Sequence, residues 1–512
     1  MNLKATNTKI GIVLFLSFLI GQGAVAGALI DPALRDFALS RSVTTKVIAL
    51  FVPFVQDLKL PVQYDVAGVR NYYKYATQST WNIISSKIKG TGNIRLQSLN
   101  WLNASATLLV TPAGLKELSH LPRIKKIYAV SRVQQELPFN SRIATSAPTQ
   151  PGYSFELTGL SRLIQEQPQV DGKGVVLGSL EAGKGADANH PALVGKFLKY
   201  FDYVTKSDLF PTYPGSHSTH ISGIMIGGDR THIPIGVAPG AKLVQAGGQS
   251  DDDDAILVGM QFMLEPKIDA DGKLLPRAVN NSWNSSAARD QELFYRAVTA
   301  WEAAGILPVF SAGNFGPGAS SLTKPHEHPA VLTVGALGEN GLITDYSSRG
   351  PGSFHGQDTK KPDLSAPGDQ INSCIPEGDY GKMDGTSMAA PHVVGALALL
   401  AQVAPGLKAS QLKDLILESV TPSDHQKKGE WDAAYGYGKL NIFEAVKLAE
   451  KFELYQYDRE FNLSDRLFAG PMRVFFERVA ADGAPRVLDS LFSFPENNQE
   501  SGEWLGSQDI WK

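Results

Sequence analysis

A serine at the start of an apolar helix is the first residue of this chain that suggests chemistry. Ser387 lies in the run GTSMAAPH at 385–392, and residues 393–403 after it are almost entirely apolar. This pattern predicts a helix that is buried on all sides. The N-terminus of such a helix favours negative charge beside the serine hydroxyl. Ser387 is therefore a candidate nucleophile, and the alternative is an ordinary helix cap.

A base is needed to take the proton from such a serine, and the chain contains only ten histidines. His217 opens the run HSTHISG at 217–223, in which Ile221 shares its helical face and small residues permit close packing. The pair His217 and His220 also has the spacing of two metal ligands, but no carboxylate lies nearby as a third. We interpret His217 as the general base and His220 as structural.

An amide at the end of an apolar strand is the third candidate. Asn314 lies in the run VFSAGNFG at 309–316, where the strand breaks into a glycine-rich turn. Its side-chain N–H is suited to hold an oxyanion, and the alternative is a turn asparagine in the left-handed region. Together with Ser387 and His217, it indicates a nucleophilic serine with a base and a donor for a developing oxyanion.

These runs resemble the blocks that define the subtilisin-like serine proteases, the subtilase family, in the family's order over positions 155–450. HSTH at 217–220 resembles the histidine block, SAGN at 311–314 the oxyanion block and GTSMAAP at 385–391 the nucleophile block. Shorter runs that match the family lie at 236–241, 347–351, 361–368 and 436–441. The resemblance implies a serine-type endopeptidase with an α/β fold, in which helices cover both faces of a mostly parallel sheet in three layers.

The acid of the expected triad departs from the family pattern. The family has an aspartate at the end of the first core strand, whereas here the strand at 174–180 ends in Glu181, and His190-Pro191 follows after a longer loop. Glu181 therefore occupies the aspartate position, with Asp187 as the second choice. Any carboxylate is able to orient and stabilise an imidazolium, but the extra methylene changes the reach of the side chain. The alternative hypothesis is a catalytically impaired scaffold or binding protein.

The resemblance also implies the substrate and the cofactor requirement. Polypeptide substrates are expected along Ser282, Trp283 and Asn284, with Ala312 and Gly313 at the first pocket. No cofactor is required for the chemistry. Structural calcium is common in the family, but the sequence locates no metal site: the acidic run 251–254 fits a helix cap, and the histidines at 326–328 fit a loop.

The N-terminus carries the features of an exported protein. Two lysines precede an apolar run at 10–20. The residues at 21–26 are mostly small and end in an Ala-x-Ala cleavage motif at Ala26. This predicts a signal peptide over 1–26 and a protein that is extracellular or periplasmic, with no stable membrane span after the signal is removed. Cys374 is the single cysteine, so no disulfide forms within the chain, and we interpret it as a buried structural thiol.

Residues 27–138 are predicted to form a separate small α+β domain. Strands at 46–52, 94–102, 105–110 and 124–130, with helices at 65–87 and from Pro112 after a Thr111 cap, give the order of a ferredoxin-like domain. The segment resembles the inhibitory prodomain of the family. It has 14 Lys and Arg against 6 Asp and Glu, a net charge of +8, whereas residues 139–512 carry −13. Opposite charge favours docking on the catalytic domain. No basic helix or stacking run accompanies it, so nucleic acid is not an expected partner.

The rest of the chain divides into three parts. A segment at 139–154, rich in Pro, Ser and Thr, is the predicted processing linker. The catalytic domain is expected over 155–452, with strands at 174–180, 242–245, 278–282, 307–311 and 331–336 alternating with helices such as 252–263 and 292–304. Glu181 and Asn314 both follow strand ends, where parallel sheets bind their ligands. Residues 453–512 are an extension without a recognisable module.

Overall fold

The computed structural model of the protein describes most of the chain. It covers residues 28–462 apart from 35–36, 39–43, 53–65, 89, 91, 132, 136–140, 145–146, 251, 266–274 and 286–291, and then residues 472–479 and 485–492. The predicted signal peptide (1–26) lies outside the described residues, as do parts of the predicted linker (139–154) and of the C-terminal extension (453–512).

The N-terminal domain has the predicted ferredoxin-like order. Its strands are β1 (Leu29–Ile30), β2 (Thr45–Phe51), β3 (Ile94–Asn100), β4 (Ser105–Val110) and β5 (Ile124–Ala129), and its helices are α1 (Val66–Ser85) and α2 (Pro112–Ser119). The sheet order is β1-β5-β2-β4-β3, with antiparallel pairs except at the added edge strand β1. The Thr111 hydroxyl accepts a hydrogen bond from the backbone N–H of Gly114 at 3.0 Å and caps α2, as predicted.

The end of the N-terminal domain and the linker after it contain two strands that the sequence analysis does not predict. They are β6 (Val133–Gln135) and β7 (Ser141–Ala144), and the helices α3 (Tyr153–Leu157) and α4 (Leu160–Glu166) come next. β6 pairs with β12 (Trp283–Ser285), and β7 pairs with β19 (Tyr380–Met383), both antiparallel. The part of the predicted linker at 141–144 is therefore held in a sheet, because partners distant in sequence supply its hydrogen bonds.

A seven-stranded parallel sheet forms the centre of the second domain. Its strands, in spatial order, are β17 (Leu364–Pro367), β14 (Leu332–Leu337), β13 (Leu307–Ser311), β11 (Ala278–Asn281), β8 (Val176–Leu180), β10 (Lys242–Gly247) and β9 (Phe197–Asp202). Every neighbouring pair is parallel. The smaller strands are β15 (Gly352–Phe354), β16 (Gln357–Thr359) and β18 (Ile371–Cys374), with β20 (Met472–Val479) and β21 (Pro485–Phe492) in the C-terminal extension.

Helices cover both faces of this sheet, which makes the predicted three layers. They are α5 (Ser216–Ile226), α6 (Asp253–Met263), α7 (Glu292–Ala303), α8 (Thr386–Val403), α9 (Ala409–Glu418) and α10 (Ile442–Asn462). Side chains of α5, α8, α9 and α10 share one apolar core, and those of α6 and α7 share the other. Successive strand residues enter opposite cores, as Leu177 and Val176 do on β8.

Helix α8 is the apolar helix that begins beside Ser387. It is long and apolar enough to cross a membrane, but its residues are mostly buried within the protein. Its burial on all sides, predicted from the lack of polar residues, is confirmed by the first core cluster, which contains Val393, Leu397 and Leu400. α8 is therefore the core helix of the domain, and its position fixes Ser387, the candidate nucleophile, relative to the sheet.

The N-terminal domain packs on α6 and α7. Ile48, Leu50 and Val69 join the apolar cluster of these helices. Around it, Lys46 lies 2.7 Å from Asp252 and 3.0 Å from Asp254, and basic side chains of the domain pair with acidic ones on the second domain. Within the part of the chain that the structure describes, Lys125 also pairs with Glu292, and both Arg70 and Lys74 pair with Glu265. The charge complementarity predicted from the sequence is thus present at the contact.

Close packing of α8 against its neighbours generates a first prediction. A Cβ added at Gly395 would lie 2.6 Å from Val237 Cβ, whereas one added at Gly318 would have nothing within 4 Å. We expect G395A to lower the free energy of unfolding by about 1–3 kcal/mol through overpacking. Thermal and denaturant unfolding in the S387A background, which lacks the candidate nucleophile, measures this, with G318A as the control. Equal stability of G395A and its parent would contradict the packing described.

Candidate active site

Ser387 is the second residue of α8 and is fully buried. Pro391 lies four residues later in the same helix and has no N–H to donate to the Ser387 carbonyl. The Ser282 hydroxyl lies 3.3 Å from that carbonyl oxygen and donates to it instead. Ser282 follows β11, so the strand end and the helix start are tied together at the candidate nucleophile.

His217 is the second residue of α5, which packs directly against α8. The His217 side chain is 5% exposed, and its Nδ1 lies 3.2 Å from Oε2 of Glu181, which is fully buried. Among the described residues, Nε2 of His217 has no hydrogen-bond partner. With Nδ1 directed to the carboxylate, Nε2 is the ring nitrogen that is left for a reacting hydroxyl.

Glu181 comes directly after β8, and both its backbone and its side chain are anchored. Its N–H donates to Ala246 O at 2.9 Å, and the Tyr203 hydroxyl lies 2.8 Å from its carbonyl oxygen. The Ser179 hydroxyl donates to Oε1 at 2.6 Å. Burial, together with the nearby Glu181 charge, raises the pKa of Tyr203 well above its ordinary value, so this phenol stays a donor.

Asp187, the second choice for the acid, has other partners. Its Oδ1 accepts from the N–H of Asn189 at 3.0 Å, and its Oδ2 accepts from the N–H of Glu377 at 3.2 Å. Its own N–H donates to the Thr219 hydroxyl. These contacts organise the loop after β8, and no described contact joins the Asp187 carboxylate to His217.

The side chain of Asn314 is anchored through its carbonyl oxygen, Oδ1. Oδ1 accepts from both the N–H and the hydroxyl of Thr386, each at 2.9 Å. This bonding assigns the amide nitrogen to the other side, and Nδ2 lies 3.3 Å from the position of a Cβ at Gly385. Gly313, just before it, has φ +100°, and a Cβ there would meet the Ser348 hydroxyl at 2.8 Å. Glycine is therefore required for the turn that aims the amide toward the start of α8.

The other titratable groups proposed from the sequence have structural surroundings. Nε2 of His220 lies 2.9 Å from Ile371 O and 3.0 Å from Gly381 O, and burial lowers the pKa of His220 to about 3. Burial also raises the pKa of the Cys374 thiol to about 12, so this free cysteine is an inert core residue. Among the described residues, no group of three or more His, Cys, Asp or Glu side chains is arranged to hold a metal ion.

The predicted substrate strand is already paired with another part of the chain. In the β6–β12 ladder, Gln135 lies opposite Trp283 and Gln134 opposite Asn284. The Trp283 side chain itself points into the core, where it contacts Phe294 and Phe310. The backbone of β12 thus pairs with an extended segment of the same chain, and the tryptophan ring packs behind the strand. Ala312 is buried beside this strand, and its N–H donates to Val334 O.

Sequence reasoning missed three contributors to the site. Ser179 was treated only as a strand residue, although the period of two along a strand puts it on the same face as Glu181. Tyr203 comes from β9, and its approach to Glu181 depends on sheet order, which no local pattern reveals. A Cβ added at Gly183 would lie 3.1 Å from the Gln135 side chain, so this glycine leaves room for a segment far away in the sequence.

The fold and the site together define a class of protein. A parallel sheet covered by helices carries a histidine–carboxylate pair at its C-terminal edge, with a serine at a helix N-terminus and an anchored amide beside it. This is the arrangement of an α/β serine hydrolase.

Comparison with known proteins identifies the family. The model of the subtilase family matches residues 172–438, more than half of the chain. Bacillopeptidase F of Bacillus subtilis (strain 168) is 33% identical over 366 residues, which are 65% of this chain and 25% of that protein. The major intracellular serine protease of the same organism is 31% identical over 301 residues, 56% of this chain and 86% of that protein. The chain belongs to the subtilase family of serine-type endopeptidases, and it spans about a quarter of the length of bacillopeptidase F.

A solved structure agrees with the fold. Fervidolysin from Fervidobacterium pennivorans, a keratinolytic enzyme related to subtilisin, superposes with a TM-score of 0.56 at 19% identity. The match covers 82% of this chain and 63% of that one. It supports the three-layer subtilisin-like architecture predicted from the sequence.

The buried His220 generates a prediction about pH. Its pKa of about 3 in the folded protein lies below the ordinary value of about 6.5, so only the unfolded chain binds this proton between those pH values. Its contribution to stability is therefore complete above about pH 6.5 and is lost as pH falls toward 3, by about 1.4 kcal/mol per pH unit. H220Q keeps a donor for the two carbonyls but does not titrate.

We expect the stability difference between the S387A parent and S387A/H220Q to narrow by about 2 kcal/mol between pH 6.5 and pH 4.5. Denaturant unfolding at a series of pH values measures it. H425Q, which changes an exposed histidine, is the control and should follow the parent. A difference that stays constant with pH would contradict the neutral, buried state of His220.

Proposed function

We propose that this chain is a secreted serine endopeptidase that works through a Ser387–His217–Glu181 triad and is made as a self-processing zymogen. The contact between Glu181 Oε2 and His217 Nδ1 carries this proposal, because it gives the histidine the acid partner that the sequence left in doubt. Family membership supports the hydrolysis of peptide bonds, and polypeptides are the proposed substrates.

The proposed mechanism begins with proton transfer. Nε2 of His217 takes the proton of the Ser387 hydroxyl as its oxygen attacks the peptide carbonyl carbon. The Asn314 amide and the backbone N–H of Ser387 then stabilise the oxyanion. The imidazolium is stabilised by Glu181 and gives its proton to the leaving amine, which leaves an acyl-enzyme for water to hydrolyse. Activity requires a neutral His217 and therefore falls on acidification.

The second candidate function is a catalytically impaired scaffold. The observation that favours it is the glutamate at the family's aspartate position, since a carboxylate displaced by about 1 Å can cost on the order of 10²-fold in rate. Against it stand the hydrogen bond to His217 and the anchoring of Asn314 by Thr386. A decayed site would have no need for either.

Substitution of the triad acid separates these candidates. We expect E181Q to lower kcat by about 10⁴-fold, because an amide that donates to Nδ1 imposes the wrong tautomer on His217. S387A should abolish both peptide hydrolysis and labelling by a fluorophosphonate probe. The measurement is kcat and KM on a peptide library after the N-terminal domain of every variant has been removed by an added protease, and circular dichroism confirms folding of each variant. An unlabelled, inactive parent would favour the scaffold, and an E181Q enzyme at full rate would remove Glu181 from the mechanism.

The N-terminal domain (27–138) is the proposed intramolecular inhibitor. β6, at its C-terminal end, pairs with the substrate strand β12. β7 leaves along β19, in a register that sets Ser141 opposite Met383, four residues before Ser387. Because β6 already occupies the pairing edge of β12, other peptides are excluded from the proposed substrate strand.

The pairings of β6 and β7 give a prediction for the site of self-cleavage. We expect the zymogen to cleave itself between Gln135 and Ser141. This range is shorter than the linker proposed at 139–154, and it begins four residues earlier. Mass spectrometry and N-terminal sequencing of the matured chain measure the bond. Cleavage in cis should be first-order and independent of protein concentration.

S387A is the matched control, since it keeps the pairing of β6 and β7 but lacks the nucleophile. It should remain at full size in a host strain without other proteases. Maturation of S387A under these conditions, or a new N-terminus outside residues 136–141, would contradict the proposed self-cleavage.

Export is proposed from the sequence of residues 1–26, which lie outside the described part of the chain. An extracellular or periplasmic location fits a protease that is kept inactive until it is folded. No partner besides polypeptide substrates and the chain's own N-terminal domain is proposed.

A further inference from the structure

We propose that Ser179 is a positioning residue for catalysis: its hydroxyl holds the glutamate carboxylate in the orientation that His217 needs. This inference rests on the proposed function, because it takes Glu181 as the acid of the triad. It adds a fourth residue on which the rate depends, one that does not touch the substrate.

The contact is short and fully enclosed. Ser179 Oγ lies 2.6 Å from Oε1 of Glu181, and both residues have no exposed surface. The distance is that of a hydroxyl donating to an ionised carboxylate, which is stronger than a hydrogen bond between neutral groups. Because the two residues are separated by two positions at the end of β8, their side chains leave the same face of the sheet.

The two carboxylate oxygens of Glu181 contact different residues. Oε2 faces Nδ1 of His217 at 3.2 Å, and Oε1 faces Ser179. Among the described residues, no other donor lies within hydrogen-bond distance of either oxygen. The terminal torsion of a glutamate is broad, so a single contact with the imidazole leaves the carboxylate free to rotate. The second contact, from a backbone-anchored strand residue, fixes that rotation.

The polar side chains next to Ser179 on the neighbouring strands bond to other groups and do not donate to the Glu181 carboxylate. On β10, the residue opposite Ser179 is Gln245, which accepts from the N–H of Ala186 and donates to the Ser222 hydroxyl. On β11, the opposite residue is Asn280, whose Nδ2 donates to the Ser282 hydroxyl. Ser179 is thus the strand residue that both faces the carboxylate and has a proton to donate to it.

The need for such a contact follows from the length of the acid. An aspartate at the end of β8 has one fewer torsion between backbone and carboxylate, so the backbone alone restricts it more. Glu181 gains reach but loses this restriction. A misplaced carboxylate lets the imidazole of His217 turn, and a displacement of about 1 Å can cost on the order of 10²-fold in rate. Ser179 compensates for the added methylene.

A pair of variants of equal shape tests the hydroxyl. S179T keeps the O–H group and S179V replaces it with a methyl group of similar size. We expect S179T to stay within about threefold of the parent, and S179V to lose about 10- to 100-fold in kcat with little change in KM. The measurement is steady-state hydrolysis of a peptide by the matured protein made from the full chain. Equal kcat for S179T and S179V overturns the inference.

A second comparison guards against simple misfolding. S179A removes the hydroxyl without adding volume, and its melting temperature in the S387A background reports any loss of stability. We expect S179A to match S179V in kcat. If S179A instead retains the kcat of S179T, the hydroxyl does not position the acid, and the inference is overturned.

Combination with E181Q distinguishes this inference from the proposed function. A positioning role predicts that S179V costs nothing further once Glu181 is already replaced, because the two substitutions act through one carboxylate. An additional loss in the double variant equal to that in the parent overturns the inference while the triad stands. Full activity of E181Q alone overturns the proposed role of Glu181, and with it the role of Ser179.

Discussion

A buried carboxylate facing a buried imidazole is the constraint on which this active site depends. An ionised group without water requires hydrogen-bond donors, since transferring it unpaired into the interior is costly. Glu181 has no exposed surface, and its described donors are His217 and Ser179. The buried carboxylate keeps its hydrogen bonds only while both donors stay in place: His217 is held by α5, and Ser179 is held by β8. The three-layer fold supplies this rigidity by packing α5 and α8 on the same face of the sheet.

The position of Ser387, the proposed nucleophile, depends on the same packing of helices on the sheet. A proline four residues after Ser387 removes a helical hydrogen bond to its carbonyl, and the Ser282 hydroxyl from the end of β11 takes its place. Thr386, the preceding residue, holds the Asn314 amide through two hydrogen bonds. The first turn of α8 is therefore connected to two strand ends, so Ser387 and the proposed oxyanion donor Asn314 are held by the sheet and not by independent loops.

Much of this arrangement is readable from the sequence, because local patterns carry it. Apolar strands followed by glycine-rich turns predicted β13 and the place of Asn314, and the apolar run after Ser387 predicted the buried helix α8. Contacts between distant segments were not predictable in this way. The hydrophilic composition near residue 141 indicated a free linker, yet β7 is ordered by hydrogen bonds to β19. A strand whose partner lies more than 200 residues away leaves no local signal, since its stability comes from the partner's exposed edge.

Ion pairs and apolar contacts contribute different amounts of free energy at the interface of the two domains. The ion pairs there involve side chains that are partly exposed, as for Lys46 with Asp252 at 36% and 37% exposure, and such pairs contribute only about 0–1 kcal/mol each. Ile48, Leu50 and Val69, by contrast, are fully buried against α6 and α7, and burial of one such side chain contributes about 1.5–3 kcal/mol. The apolar cluster therefore dominates the affinity, while the opposite net charges of the domains speed and orient their approach. Pairing of β6 with β12 then depends on a surface that is already docked, which explains how a three-residue strand is held in the cleft.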